Sequence, residues 1–335
     1  VDQVHPADIS RRLSMAHGFR IYPSIEDALT LGTGKLAVDG VLLIGEHGDY
    51  PTNEKDQKLY PRHQFFQQVV KVFRSSGRAV PVFSDKHLSH DWKQAKWMYD
   101  QSRELKFPMM AGSSGPVTFR RPELDFPLDT EFDEALGVYS GWIGDGGVFH
   151  ALEAIQCFVE RRRGGETGIR AVQRVEGDAV WKAAAEGRWS HGMLHAALSR
   201  GRHVVPGRPE QLVARPVACF LEYNDGFRAT ILMLGGMVNE NLLAFRVKGR
   251  EEIASTLLYV PIENSNNFSP LVDSIARMFT TGKTDYPVER TLLTTGALSF
   301  LMESAHQGQK RLLTPMLNIK YRGPKSSYYA HGVGS

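Results

Sequence analysis

The first third of the chain alternates short apolar runs with segments in which apolar residues recur every three or four positions. Four of the short runs have the length and composition of strands: residues 19–22, 41–44, 79–83 and 109–111. Helices are predicted between them, including one that starts at Pro61 and ends at Gly77 and one that Ser89 caps. Strands that alternate with helices in this way predict a doubly wound parallel sheet.

The pattern changes beyond residue 117. Residues 148–159 have the apolar stripe of an amphipathic helix, and β-forming segments follow it: residues 172–181, 217–223, 227–234, 241–247 and 255–260. Asn224, Asp225 and Gly226 separate two of these segments and indicate a hairpin, so we expect an antiparallel sheet. Two further helices are predicted after the sheet, at residues 270–281 and 287–306.

These patterns predict an α/β chain in two parts. Residues 1–117 are expected to form a Rossmann-like doubly wound parallel sheet, and residues 118–310 an α+β domain with an open antiparallel sheet, before a C-terminal tail at residues 311–335. An open sheet would expose one apolar face unless another subunit covered it. We therefore expect a homo-oligomer.

Composition excludes several classes of protein. The 335 residues are 42% apolar, which is enough for two cores, and the net charge is only +3. The densest basic run, residues 161–163, is expected to be a solvated helix end rather than part of a nucleic-acid surface. Cys157 and Cys219 lie outside any disulfide or zinc spacing, which fits a reducing cytoplasm. No apolar stretch reaches the ~20 residues that cross a bilayer, so we expect neither nucleic acid nor membrane as a partner.

Four local motifs together resemble a known family. Residues 38–44 resemble the strand that ends above the nicotinamide in the glucose-fructose oxidoreductase / inositol dehydrogenase (Gfo/Idh/MocA) family, and the run Ser84-Asp85-Lys86-His87-Leu88 stands where that family has a Glu-Lys-Pro signature. Residues 146–153 resemble its glycine pair before a catalytic histidine on a helix, and residues 301–308 resemble its closing helix. The matches cover residues 1 to about 310 in the family's order.

The resemblance implies an NAD- or NADP-dependent oxidoreductase that moves a hydride to or from a hydroxyl carbon of a sugar, polyol or related compound. Lys86 and His150 match the two catalytic positions. Lys86 follows the carboxyl end of a predicted strand, and His150 lies near a helix start, where the helix dipole disfavours the imidazolium ion. The positions that the resemblance assigns to the cofactor are Asp2, Gly45, Glu46 and Asp85.

Three departures from the family pattern stand out. The sequence contains no GxGxxG turn, which in this family binds the pyrophosphate. Asp2 matches the acidic residue at the end of the second strand, so we expect the first βα unit to be missing from this chain. His87 replaces the proline of the signature, and Asp145 stands one position off the usual spacing of the acidic residue before His150.

Side chains near the predicted strand ends are expected to bind the substrate. Arg120 follows a turn at residues 112–115 and would clamp a carboxylate or hydroxyl group, and the polar loop 46–50 follows the predicted strand at residues 41–44. Together with neighbours of the two catalytic positions, these considerations predict six substrate-binding residues: His47, Asp49, His87, Arg120, Trp142 and Asp145.

The same loop leaves a second function open. Glu46, His47 and Asp49 offer oxygen and nitrogen ligands within four positions, so they would hold a divalent metal. The alternative is therefore a metal-assisted lyase, isomerase or hydrolase that acts on a sugar derivative with the same fold. A third possibility is a binding protein without catalytic activity, because a fold does not fix a function.

Overall fold

The computed structural model describes residues 8–45, 48–140, 143–261 and 266–332, and two sheets organise them. The first sheet has three parallel strands, β1 Val41–Leu43, β2 Val82–Asp85 and β3 Met109–Gly112, in that order across the sheet. Four helices precede or connect them: α1 Ser10–His17, α2 Ile25–Thr30, α3 Arg62–Ser76 and α4 Trp92–Glu104. The predicted parallel sheet is thus present, and the carboxyl ends of its strands lie along one edge.

Local signals fix the ends of these helices. The α3 helix follows Pro61 and ends at Gly77, whose φ of 63° is the left-handed conformation that glycine adopts easily. The predicted cap of α4 is wrong by two residues: Asp91, not Ser89, accepts the backbone N–H of the third helical residue. The Ser89 hydroxyl instead donates to the side-chain oxygen of Gln94 at 2.6 Å.

The strand predicted at residues 19–22 does not form. Phe19 and Ile21 are 47% and 50% exposed. No described strand lies beside them, so their backbone groups have no ladder partner. The β1 strand is accordingly an edge of the described sheet, and Leu42 on it is 50% exposed.

The second sheet contains the other eight strands. They are β4 Phe119–Arg121, β5 Phe132–Tyr139, β6 Ile169–Glu176, β7 Val217–Tyr223, β8 Arg228–Met233, β9 Asn241–Val247, β10 Ala254–Tyr259 and β11 Leu312–Leu313. Their order is β11-β6-β7-β8-β5-β9-β10-β4. The β5 and β8 strands are parallel and the other neighbours are antiparallel, so the sheet is mixed rather than purely antiparallel.

Two sequence predictions fail in this sheet. The pattern did not predict β5, because its first half is polar and its pairing with β9 shifts register between Phe132 and Glu134. The strand predicted to run to residue 181 ends at Glu176, because Gly177 takes a φ of 64° and the chain enters helix α6, Asp178–Ala185.

Helices of the same chain cover both faces of the mixed sheet. They are α5 Asp145–Val159 and α10 Glu289–His306 on the face that carries Leu221, and α6 with α7 His191–Leu198 on the face that carries Phe220. The expectation of an open apolar face is therefore wrong. The argument for a homo-oligomer that rested on such a face has no support in the described residues.

The last elements connect the two sheets. After the short α8, Pro209–Leu212, helix α9, Ser269–Thr281, packs its apolar side against Phe83 and Met110 of the first sheet. The C-terminal segment then pairs with β6 through β11 and continues until the backbone N–H of Ala330 donates to the carbonyl of Val117 at 2.9 Å. This segment therefore contacts the mixed sheet and also the chain next to β3.

The basic run at residues 161–163 is not a solvated helix end. Arg161 and Arg162 are 4% and 3% exposed, and Arg162 pairs with Glu166 and Asp225 at 2.8 and 2.6 Å. Only Arg163 is exposed to solvent. In the parts of the chain that the structure describes, no helix combines the length and apolar character that crossing a bilayer requires.

Candidate active site

Lys86 lies just beyond the carboxyl end of β2. Its backbone has a φ of 62°, and its N–H donates to the carbonyl of Gly112 at the end of β3. Its ammonium lies 2.9 Å from Oδ2 of Asp85, and the two side chains are 14% and 10% exposed. Asp85, which the resemblance assigned to the cofactor, thus forms an ion pair with Lys86 in this structure.

His150 lies in the second turn of α5 and is partly exposed. Burial, together with the positive charges of Lys86 and Arg62, lowers the pKa of His150 to about 4. Lys86 and Arg62 therefore lie within electrostatic range of the ring. The structure places the two predicted catalytic residues in one region and keeps His150 neutral at neutral pH.

This lowered pKa predicts that acid destabilises the protein through His150. Between pH 6.5 and about 4 the unfolded chain binds a proton at His150 that the folded chain does not, so stability falls as the pH falls through this window. Between pH 7 and pH 5, the free energy of unfolding of the His150→Gln variant should therefore fall by about 2 kcal/mol less than that of the wild type. Urea unfolding at both pH values measures this difference. An identical loss in the two proteins would show that His150 titrates normally.

His87 forms a buried pair with Arg62, the first residue of α3. Nε2 of His87 lies 3.0 Å from Nη1 of Arg62, and the guanidinium group stacks on the ring of Tyr60 at 4.1 Å. Burial, together with the positive charge of Arg62, holds the pKa of His87 well below its ordinary value. His87 is thus a neutral, buried side chain directly after Lys86.

Asp145 at the start of α5 anchors the loop before α3. Its carboxylate accepts the backbone N–H groups of Lys58 and Gly146 at 2.9 and 2.7 Å. Burial raises the pKa of Asp145, although these two hydrogen bonds oppose the shift. Asp145 therefore positions this loop next to the helix that carries His150, whereas Asp49 in the same loop is exposed.

Glu153, one turn after His150, ties α5 to the end of β3. Its carboxylate is buried and accepts the backbone N–H of Ser113 at 2.9 Å and the hydroxyl of Thr291 at 2.9 Å. Gly112 beside it has a φ of 117°, and a Cβ there would collide with Oε2 of Glu153 and come within 2.9 Å of the Thr291 hydroxyl. Position 112 therefore accepts only glycine. The carbonyl of Gly112 also accepts the backbone N–H of Lys86.

A methyl group at position 112 is therefore expected to be costly. The strained φ and the collision with a buried carboxylate each cost about 1–3 kcal/mol, so Gly112→Ala should destabilise the protein by about 2–6 kcal/mol. Gly115→Ala is the matched control in the same turn, because a Cβ there meets only the hydroxyl of Ser113 at 3.5 Å. Denaturant unfolding should separate the two variants, and equal stabilities would contradict this account of the turn.

Buried polar atoms without a hydrogen-bond partner collect near the ends of β2 and β3. Within the described ranges they include Oγ of Ser84, Nδ1 of His87, Nδ1 of His90 and Oγ of Ser113. A buried polar group without a partner costs about 1–3 kcal/mol, and most such groups in proteins are satisfied. Their concentration at the carboxyl edge, where doubly wound sheets bind ligands, favours a ligand site here.

Other predicted residues lie elsewhere or outside the described residues. Arg120 is 2% exposed and lies between the rings of Phe158 and Tyr329, where it pairs with Asp125 at 3.0 Å. Phe158 is two turns further along α5 than His150, so the structure does not bring Arg120 to Lys86. Gly45 follows β1, and a Cβ at this position would lie 3.4 Å from the ring of Phe65. Four predicted positions fall outside the described residues: Asp2, Glu46, His47 and Trp142.

The described residues contain no group of three or more His, Cys, Asp or Glu side chains that could hold a metal ion. The metal alternative needs Glu46 and His47, which are not among them, so it is not tested. Cys157 and Cys219 are free and buried.

Sequence reasoning missed Arg62 and Glu153. Arg62 was hidden because an arginine at a helix start is usually exposed, and its partner His87 is 25 positions away. Glu153 had one available signal, its position three residues after His150, which places both on one side of a helix. Its partner Ser113 is 40 positions away and could not be inferred from that spacing.

Comparison with known proteins shows the fold. No model of a protein family and no curated protein sequence matches the chain. Solved structures do match it. GenD2 from gentamicin A biosynthesis in complex with NAD has 12% sequence identity and a TM-score of 0.54, and the match covers 91% of this chain and 85% of GenD2.

Two inositol dehydrogenases are similar to the same degree. The match to myo-inositol 2-dehydrogenase from Lactobacillus plantarum has 11% identity and a TM-score of 0.52, and it covers 91% of this chain and 89% of that protein. The match to apo scyllo-inositol dehydrogenase from Lactobacillus casei has 11% identity and a TM-score of 0.52, and it covers 92% of this chain and 88% of that protein.

At these identities the likeness concerns the fold alone. The resemblance predicted from the four motifs is confirmed at that level, because the similar structures are inositol and sugar dehydrogenases of the Gfo/Idh/MocA type. The predicted fold class, a parallel Rossmann-like sheet followed by an α+β domain, is also confirmed.

Proposed function

We propose that this protein is an oxidoreductase that transfers a hydride between NAD or NADP and a hydroxyl carbon of a sugar, polyol or related compound. The observation that carries the proposal is the convergence of Lys86 and a neutral His150 at the carboxyl edge of the parallel sheet. The similar structures, two inositol dehydrogenases and GenD2 in complex with NAD, support it.

In the oxidising direction the protein's task is to move one proton. The ammonium of Lys86, held by Asp85, donates a hydrogen bond to the reacting hydroxyl oxygen, and the neutral imidazole of His150 accepts the hydroxyl proton. The O–H bond breaks as a carbonyl forms, and the C–H hydrogen leaves with its electron pair. A bound nicotinamide supplies the acceptor for that hydride.

The described residues fit one end of the cofactor. Three parallel strands correspond to one half of a doubly wound sheet, and a dinucleotide spans two halves. The unpartnered hydroxyls of Ser84 and Ser113 at the strand ends suit the polar nicotinamide end. Asp85 and Gly45 lie at the same edge. The described residues include no glycine-rich turn, so we assign no residue to the pyrophosphate.

Binding and turnover of the full chain test the proposal. NADH and NADPH are titrated while protein fluorescence is followed, and NAD- and NADP-dependent oxidation is then screened over cyclic polyols and aldoses. We expect the protein to bind one of the two dinucleotides and to oxidise at least one polyol or sugar. This activity should persist in the presence of a chelator. Absence of nicotinamide binding would refute the proposal. Activity without nicotinamide that the chelator abolishes would establish the metal-assisted alternative through Glu46, His47 and Asp49.

Two further predictions remain proposals. We place the division between the two parts of the chain near residue 117, where the first sheet ends and β4 begins. The partner is proposed to be a small carbohydrate-like substrate, and native mass spectrometry would establish the number of subunits.

A further inference from the structure

The pair formed by Arg62 and His87 lies beside Lys86, yet the proposed proton transfer does not use it. Both side chains are 1% exposed. The ring of His87 packs against the rings of Tyr60 and Phe149, with centroids 5.8 and 5.3 Å away. Because the ring is packed on these sides and bonded to Arg62, its orientation is fixed.

The hydrogen bond between the two side chains determines where the proton of His87 lies. A guanidinium group has only donors and keeps its proton in proteins. Since Nη1 of Arg62 lies 3.0 Å from Nε2 of His87, Nε2 must be the acceptor. A neutral imidazole that accepts at Nε2 carries its proton on Nδ1. A doubly protonated ring would place an N–H donor against the guanidinium donor.

The resulting Nδ1–H group has no acceptor among the residues that the structure describes. It is buried and directly follows Lys86 in sequence, at the edge where Ser84 and Ser113 also have unpartnered hydroxyls. A fixed, buried donor of this kind is unfavourable unless an acceptor reaches it. The cations Lys86 and Arg62 nearby favour an oxygen as that acceptor.

We propose that Arg62 fixes His87 in the Nδ1-protonated form, and that His87 donates this hydrogen bond to an oxygen of the bound ligand. His87 is then a binding residue and Arg62 a positioning residue that acts through it. The identity of the ligand rests on the proposed function, whereas the protonation of His87 does not. The acceptor is a neutral oxygen, supplied either by the carboxamide of the nicotinamide or by a hydroxyl group of the polyol.

The free protein tests the first half of the proposal. Nitrogen-15 NMR of histidine-labelled full chain should show one imidazole with a proton on Nδ1 that exchanges slowly with water, and the His87→Gln variant assigns it. Arg62→Met, which removes the donor, should shift this ring toward the Nε2-protonated form, and Arg62→Lys, which keeps a donor, should restore it. A proton on Nε2 in the wild type, or an unchanged ring in a folded Arg62→Met protein, would overturn the assignment.

A matched pair of variants tests the second half. The amide nitrogen of asparagine stands near the position of Nδ1, whereas that of glutamine stands near Nε2, so His87→Asn can keep the donor that His87→Gln loses. We expect His87→Gln to weaken ligand binding about tenfold, the equivalent of about 1.4 kcal/mol, and His87→Asn to recover part of that loss. The probes are NADH, followed by its Kd, and myo-inositol with NAD, followed by its KM.

The outcomes separate the two sources of the oxygen. A change in the Kd of NADH assigns the acceptor to the carboxamide, and a change confined to the KM of myo-inositol assigns it to the substrate. Unchanged values for both variants would overturn the role of His87 in binding. If the wild type bound neither probe, the proposed function would fail together with this role, while the NMR result on the free protein would still decide the protonation of His87.

Discussion

Replacing Lys86 with methionine is expected to lower kcat/KM by about 10²–10⁴, the usual range for loss of a positioned proton-transfer group. Methionine keeps most of the length of the side chain and loses the ammonium that Asp85 holds at 2.9 Å. Because the proposed role of Lys86 concerns the reacting hydroxyl, most of the loss should appear in kcat. Steady-state kinetics on the best substrate from the polyol and sugar screen measures it, and NADH binding should weaken far less.

Lys106 provides the matched control for this variant. Like Lys86 it has a positive φ, 55° against 62°, but it is exposed and lies before β3 rather than after it. Lys106→Met should therefore retain nearly full activity. Retention of more than a tenth of wild-type kcat/KM by Lys86→Met would remove Lys86 from the chemistry, and an equal loss in both variants would point to a general effect of lysine removal.

Arg290→Met is expected to lower the free energy of unfolding by about 3–5 kcal/mol. Arg290 makes two hydrogen bonds to Glu160, at 2.8 and 2.5 Å, and the side chains are 3% and 0% exposed. Among the residues that the structure describes, methionine would leave the buried carboxylate with the hydroxyl of Tyr321, 2.9 Å away, as its remaining partner. A buried charge without its counter-ion is the main reason for the expected loss.

Urea unfolding of single and double variants tests this prediction. The double variant Arg290→Met with Glu160→Gln removes both charges, so it should be more stable than Arg290→Met alone. Lys96→Met breaks an exposed ion pair with Asp100 and should change the stability by less than about 1 kcal/mol. A loss at Arg290 no larger than the loss at Lys96 would show that the buried pair contributes little.

The parts of the fold that local signals determine could be predicted from the sequence. Helix α3 lies between Pro61 and Gly77 as predicted, and β7 and β9 have the predicted bounds, because their apolar runs are continuous. The β5 strand could not be predicted, because half of it is polar and its place in the middle of the sheet depends on strands almost 100 residues further on.

The candidate site divides in the same way. Lys86 and His150 follow from short motifs beside a strand end and a helix start. The contacts that orient them do not, because the partners Asp145 and Lys58, or Glu153 and Ser113, meet only once the sheets and helices have packed. Local sequence is enough to propose Lys86 and His150 for the reaction, whereas tertiary packing determines the conformation in which they are held.

The C-terminal segment has a consequence for how the protein is made. Its contacts join residues that leave the ribosome far apart in time: Ala330 bonds to Val117, and Tyr321 bonds to Glu160 and Glu166. Such distant contacts slow folding, because a long stretch of chain must be ordered before they form. Until this segment has been synthesised, the buried carboxylate of Glu160 has Arg290 of α10 as a partner but lacks the hydroxyl of Tyr321. We therefore expect proteins shortened before this segment to be less stable than the full chain, which urea unfolding of the two would measure.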